Sequence, residues 1–256
     1  MVAVVCAGAA AAITIHSGTV KIPAGRRGTV ITTCPYPSRA NFLGLEATVS
    51  ESAALELTSL GAGGRRAVAS AVNPERPGTG TLTVFAYCGG RAVLRTIAAS
   101  VAVAKGVQAS ATAICPPRTS VVFGGFRATV KPAPGPEVIL NGLERVTARR
   151  WRVSAVNLDG PPGKLTAIAY CGHGSPRLTA RTKSVKVPYG KTQAVKASCP
   201  AGKTLVLGGF RSTHYTDRFA SIYPSSFVRT GTRTWTVSGH KFVPVIGKLT
   251  AIAYCR

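Results

Sequence analysis

Acidic residues are scarce in this chain. Eight Asp and Glu stand against 32 Lys and Arg over 256 residues, a formal net charge of +24. Eight carboxylates spread over that length do not supply the cluster that a calcium site needs. No acidic residue recurs at one place in the repeats described below, so no repeated pair of acids is available for general acid–base chemistry. Cys-x-x-Cys is absent, and none of the four histidines recurs, which removes the common zinc patterns. No apolar run is long enough to cross a bilayer as a helix. No stretch carries a long period of 3.6, and no low-complexity linker divides the chain.

What is present is repetition. Gly-Lys-Leu-Thr-Ala-Ile-Ala-Tyr-Cys occurs at Gly163 to Cys171 and again at Gly247 to Cys255, and a drifted copy runs from Gly80 to Cys88. Each closing cysteine answers an earlier Cys-Pro, at Cys34, Cys115 and Cys199, 54, 56 and 56 residues before it. Such self-similarity means one module written three times. It divides the chain into an apolar segment 1–12 and modules at 13–95, 96–180 and 181–256. The short connections, Gly89 to Ala99 and Gly172 to Arg181, imply modules coupled closely, end to end.

Six cysteines paired by the repeat frame read as three disulfides, Cys34–Cys88, Cys115–Cys171 and Cys199–Cys255, and so as an oxidising compartment. The alternative is buried free thiols. Closing a loop of this length stabilises a small domain by roughly 4 kcal/mol in the chain-entropy model. The seventh, Cys6, lies in an alanine-rich apolar stretch that resembles the core and small-residue end of a secretory signal peptide, without a basic start. Either Ala10-x-Ala12 is a cleavage site or the segment stays in the mature protein.

Runs of Val, Ile and Thr in period two, broken by Gly/Pro turns such as Pro23-Ala-Gly25, predict about six short strands per module. Cys-Pro ends the second strand, because proline donates nothing to a ladder. In the closing stretch Leu165, Ala167 and Ala169 alternate with Thr166, Ile168 and Tyr170. Gly124-Gly-Phe-Arg and Gly208-Gly-Phe-Arg read as glycines that let two sheets approach. Copy one has Leu43-Gly-Leu-Glu there, and Ala67 where the others have Trp151 and Trp235. Those tryptophans read as packing residues between sheets. Glu51 to Leu60 is the one stretch expected as a helical turn. The fold class is all-β: three tandem antiparallel β-sandwich modules, each with one disulfide.

In copy three Val185, Val187, Pro188 and Gly190 are followed by Cys199, Pro200, Gly202, Lys203, Gly208, Gly209, Trp235, Val237, Tyr254 and Cys255. This string resembles β-repeats of predicted secreted and surface proteins of actinobacteria and related bacteria, modules of a kind that also cap collagen-like bacterial stalks. The resemblance runs from about residue 17 to 255, and copy one departs from it. It implies extracellular β-rich modules with no agreed activity, so no catalytic residue carries over.

Function is less legible. The charge rises along the chain, +5, +7 and +12 for the three modules, and favours an anionic polymer or envelope surface as partner. Candidate anion-binding residues are Arg149, Arg150, Arg152, Lys183, Lys186, Lys191 and Lys196. Lys186 and Lys196 fall on predicted strands and would present one charged face. Arg26-Arg27 and Arg65-Arg66 are further basic pairs. A generally solvated basic surface explains the same residues. A candidate ligand loop, for a lectin-like or adhesin role, holds Tyr215, Arg218, Phe219, Tyr223 and Phe227, although such aromatics more often form small cores. Nucleic acid is the weaker partner, because aromatics are not interleaved with the basic residues. His214 with Asp217, near Ser212 and Ser221, is the best hydrolytic set, a spacing common by chance. The expectation is a non-enzymatic extracellular or cell-surface structural or assembly protein, self-associating into a filament or sheath, with no cofactor and no membrane span. The runner-up is a basic binding module for anionic envelope polymers or glycans.

Overall fold

Each repeat begins with two alternating Val/Ile/Thr runs on either side of a Gly turn, and in a computed structural model each folds into six strands. Residues 13–49, 55–74, 78–89, 93–129, 138–158, 160–173, 177–213, 222–242 and 247–256 are described. Repeat one supplies β1 (Thr14–Ile22), β2 (Arg27–Thr33), β3 (Arg39–Val49), β4 (Glu56–Gly63), β5 (Arg66–Val72) and β6 (Gly80–Gly89). Repeat two supplies β7 (Arg95–Val103), β8 (Gln108–Ile114), β9 (Ser120–Thr129), β10 (Val138–Thr147), β11 (Arg150–Asn157) and β12 (Gly163–Gly172). Repeat three supplies β13 (Thr179–Val187), β14 (Thr192–Ser198), β15 (Leu205–Ser212), β16 (Ile222–Arg229), β17 (Thr234–Lys241) and β18 (Gly247–Cys255). The described residues contain no helix, and no helix long and apolar enough to cross a membrane.

The repeats do not stand end to end as separate sandwiches. Among the described residues three six-stranded antiparallel sheets form, and every one is shared. Sheet A runs β1-β6-β3-β16-β17-β14, sheet B runs β2-β5-β4-β9-β12-β7, and sheet C runs β13-β18-β15-β10-β11-β8. Each repeat therefore gives three strands to one sheet and three to the next: repeat one to A and B, two to B and C, three to C and A. The last repeat pairs with the first through β16 and β3, so the three sheets close into a ring. The first two strands of a repeat lie at the edges of different sheets; the turn between them is a corner, not a hairpin within one ladder. One hydrophobic core runs through all three repeats. A half-sheet of three short strands buries little on its own, and pairing it with its neighbour completes both.

The closing stretch shows why its letters recur. In β12 Leu165, Ala167 and Ala169 face the core with no exposed surface, while Thr166 and Ile168 look outward. Leu82, Val84 and Ala86 occupy the same places in β6, and Leu249, Ala251 and Ala253 in β18. The three expected disulfides are formed. Each fastens the residue after a repeat's second strand to its last strand, across two sheets, and places the fold in an oxidising environment.

Two local expectations change. The helical turn over Glu51 to Leu60 is instead, where described, a strand from Glu56. Leu57 and Leu60 are buried there, and the strand pairs with β5 on one side and β9 on the other. Ladder pairing on both sides outweighs the local preference of a Glu/Ala-rich stretch. The missing tryptophan and glycine of repeat one are a single exchange. Gly124 and Gly208 lie flat against the Trp151 and Trp235 rings: a Cβ there would come within 2.1 Å of an indole carbon. The indole nitrogens donate to the next carbonyls, Gly125 at 3.1 Å and Gly209 at 2.9 Å. Repeat one has Leu43 and Ala67 at those two register positions, both buried.

Candidate functional site

The repeats meet at three seams with a common backbone. At each, the third strand of one repeat pairs with the fourth of its neighbour over two registered residues: Leu45↔Phe227 and Glu46↔Ser226, Phe126↔Leu60 and Arg127↔Ser59, Phe210↔Leu143 and Arg211↔Gly142. The tyrosine of each closing stretch, buried on the same side of its strand as Thr166 and Ile168 in β12, fastens the seam. Tyr87 accepts from Arg229 N at 2.8 Å, Tyr170 from Ala62 N at 2.5 Å, and Tyr254 from Arg145 N at 2.9 Å, while the Tyr254 hydroxyl donates to Arg145 O at 2.9 Å. Burial raises the pKa of all three phenols, Tyr87 up to about 12, so they stay protonated. The glycine on the facing strand permits this approach: a Cβ on Gly125 would meet Leu60 O at 2.1 Å, and one on Gly209 would meet Leu143 O at 2.5 Å.

On the outer face the three seams diverge. In sheet C, Glu144 lies between two arginines: its Oε1 accepts from Arg152 Nε at 3.1 Å and its Oε2 stands 3.2 Å from Arg211 Nε. In sheet B, Arg127 takes the place of Arg211, Gly61 that of Glu144, and Val68 that of Arg152. Arg127 is exposed and has no acidic partner among the described residues. The missing side chain leaves an open groove of about 280 Å³. In sheet A the same places hold exposed Glu46, half-buried Val228 and buried Thr236. Around each seam run hydroxyl pairs, such as Ser100 with Thr166 at 2.9 Å and Thr29 with Ser70 at 2.9 Å in sheet B.

The basic residues singled out from sequence scatter over these faces. Arg149 Nε donates to Cys115 O at 2.9 Å, as Arg65 does to Cys34 O, so the first arginine of each pair holds the chain at a disulfide. Arg152 is occupied by Glu144. Arg150, Lys183, Lys186, Lys191 and Lys196 are exposed. Lys186 and Lys196 do not share a face, because β13 belongs to sheet C and β14 to sheet A; Lys186 instead stands opposite exposed Lys248.

Of the aromatic segment, Tyr215, Arg218 and Phe219 lie outside the described residues, as do His214, Asp217 and Ser221. Phe227 is buried and stacks on Phe210 at 5.4 Å, and half-buried Tyr223 meets Phe242 edge-on at 5.0 Å. Those two are packing residues on β16, not part of an exposed ligand surface. Among the described residues no three His, Cys, Asp or Glu side chains gather as metal ligands. The seam groove was hidden in sequence because it needs residues 61 and 127 read together. The recurring arginine of Gly-Gly-Phe-Arg was its one visible half.

No protein-family model matches the chain, and no curated protein is similar to it.

Proposed function

We propose that this is a non-enzymatic extracellular binding module for anionic envelope polymers, built as a rigid ring that carries cations on its outer faces. The observation that carries the reading is the sheet faces themselves: Arg127, Arg150, Lys164, Lys186, Lys196 and Lys248 all point outward from strands. Fixed on a disulfide-stapled scaffold, such charges lose little freedom when a polyanion arrives and focus a strong positive field. The resemblance to secreted and surface β-repeats agrees with this setting.

The structural or assembly role stands second. The exposed Ile13, next to edge strand β1, and Ile15, within it, favour it, because an apolar edge is a template for pairing with another chain. Against it, the ring uses each repeat's seam strands internally, so that pairing mode leaves nothing open for a further copy.

The test is binding of the full chain to an acidic polysaccharide and to a neutral one of equal length, across salt concentrations. The reading expects binding to the acidic polymer only, with affinity falling as salt rises. Equal binding to the neutral polymer, or none to the acidic one at low salt, would overturn it.

A further inference from the structure

We infer that the groove on the outer face of sheet B is a site for a single carboxylate-bearing sugar ring, a hexuronate unit of an acidic polysaccharide, with Arg127 as its counter-ion. This rests on the polymer-binding reading above and names the unit that the polymer would present.

The inference comes from comparing seams that share one backbone. In sheet C the groove is filled by the protein's own carboxylate, Glu144, held between Arg211 and Arg152. In sheet B the arginine is kept as Arg127, but the carboxylate is deleted at Gly61. What remains is an empty place for a carboxylate, beside a cation already at the right register. The second arginine has become Val68, so the site offers one cation and an aliphatic wall. That suits a monoanion with an apolar flank rather than a phosphate dianion, which needs more donors.

The rest of the lining sets the body of the ligand. Gly61 and Gly63 form a floor without side chains, Val68 and Ile168 are half-buried walls, and the volume is about 280 Å³. Ring C–H groups fit such a floor, and small convergent polar groups fix orientation in sites of this size. The polar groups here are hydroxyls: Ser59 lines the groove opposite Arg127, and Thr166 and Ser70 stand on the flanking strands. β4 and β9 are inner strands of sheet B with a neighbour on each side, and beyond the two residues of their own ladder Ala62 N is taken by the Tyr170 hydroxyl, so a peptide would find no free strand edge to extend. A hydroxyl-bearing ring asks only for side-chain partners.

The experiment is an amide-resolved NMR titration of the full oxidised chain with glucuronate, its methyl ester, glucose, acetate and inorganic phosphate. Glucuronate should shift amides of β4 and β9 at the seam. The ester and glucose, which lack the charge, should bind about tenfold or more weakly, the usual scale for losing a charge-assisted hydrogen bond. Arg127→Ala should weaken glucuronate by a similar factor, and Lys203→Ala, which removes an equal charge from an exposed turn, should not. Gly61→Glu should abolish binding, because it rebuilds the pair that Glu144 makes with Arg211. Sheet C is the precedent for its fold, with Glu144 beside the Tyr254 hydroxyl; a Cβ at residue 61 would meet the Tyr170 hydroxyl at 3.0 Å, a tight contact in which that hydroxyl must yield slightly. Equal shifts with acetate or phosphate would overturn the sugar-ring assignment. Absence of glucuronate shifts at the seam would overturn the site. If the acidic polymer still bound, with affinity unchanged in Arg127→Ala, the general polymer-binding reading would survive that failure.

Discussion

Repeat one should be transplantable into repeat two, one pair of residues at a time. Trp151 is buried to 1% exposure and gives its indole N–H to Gly125 O. Replacing it with alanine removes a large aromatic side chain from a closed core and leaves that carbonyl without its donor, a loss of about 3–5 kcal/mol. Gly124→Leu alone fails for the opposite reason: its Cβ would stand 2.1 Å from Trp151 Cε2, and neither the rigid indole nor the ladder can yield that distance. Together the two substitutions install the Leu43/Ala67 arrangement that repeat one already uses at the same registers. The double variant should therefore be more stable than either single one, with a favourable coupling of at least ~2 kcal/mol, within the span seen for contacting residues. Guanidinium unfolding followed by far-ultraviolet circular dichroism, with the disulfides intact, closes the cycle. Additive single effects would refute the claim that Gly/Trp and Leu/Ala are two solutions to one packing problem.

Three further outcomes follow from the seams and corners. Tyr254→Phe deletes a hydroxyl that both accepts from and donates to Arg145, leaving a buried N–H unsatisfied, and should destabilise by about 1–3 kcal/mol in urea titrations. Lys241 is wholly buried, and Asn73 and Asn157 occupy its place in the other repeats, where Asn73 donates to Ile22 O at 2.9 Å and Asn157 to Val103 O at 3.2 Å. Burial lowers the Lys241 pKa below its ordinary 10.5. Between that lowered value and 10.5 the unfolded chain binds the extra proton, so the Lys241 contribution to stability rises with pH across this window. Lys241→Asn should remove that rise and add about 1 kcal/mol at neutral pH, measured as Tm against pH. Complete reduction of Cys199–Cys255 should shift Trp235 emission to the red, as β18 is freed from the end of β14; unchanged fluorescence would count against the packing assigned to that ring.

Strand content, disulfide pairing and the inward face of each closing strand were all legible in the sequence, because each depends on residues close together or repeated in step. The period-two pattern of residues 165–170 places Leu165, Ala167 and Ala169 inside, and there they are. Ring closure was not legible. Whether β3 ends a sandwich or continues into β16 depends on residues about 180 positions apart, at the least similar part of the repeats. For the same reason Glu56 to Leu60 looked helical when read alone, and Lys186 and Lys196 looked like neighbours when a corner divides them. The site was half visible: the arginine of Gly-Gly-Phe-Arg recurs in the letters, but the glycine that leaves Arg127 without a carboxylate gains meaning only beside Glu144.

The central claim is that three repeats close on one another and leave their outer faces for a ligand rather than for a further copy. The mass in solution tests it most directly, by light scattering on the oxidised chain over a wide range of protein concentration. The closed ring predicts a compact particle near 26.4 kDa at every concentration. Long polymers that grow with concentration would contradict it, because they would mean that the seams or the β1 edge pair between chains.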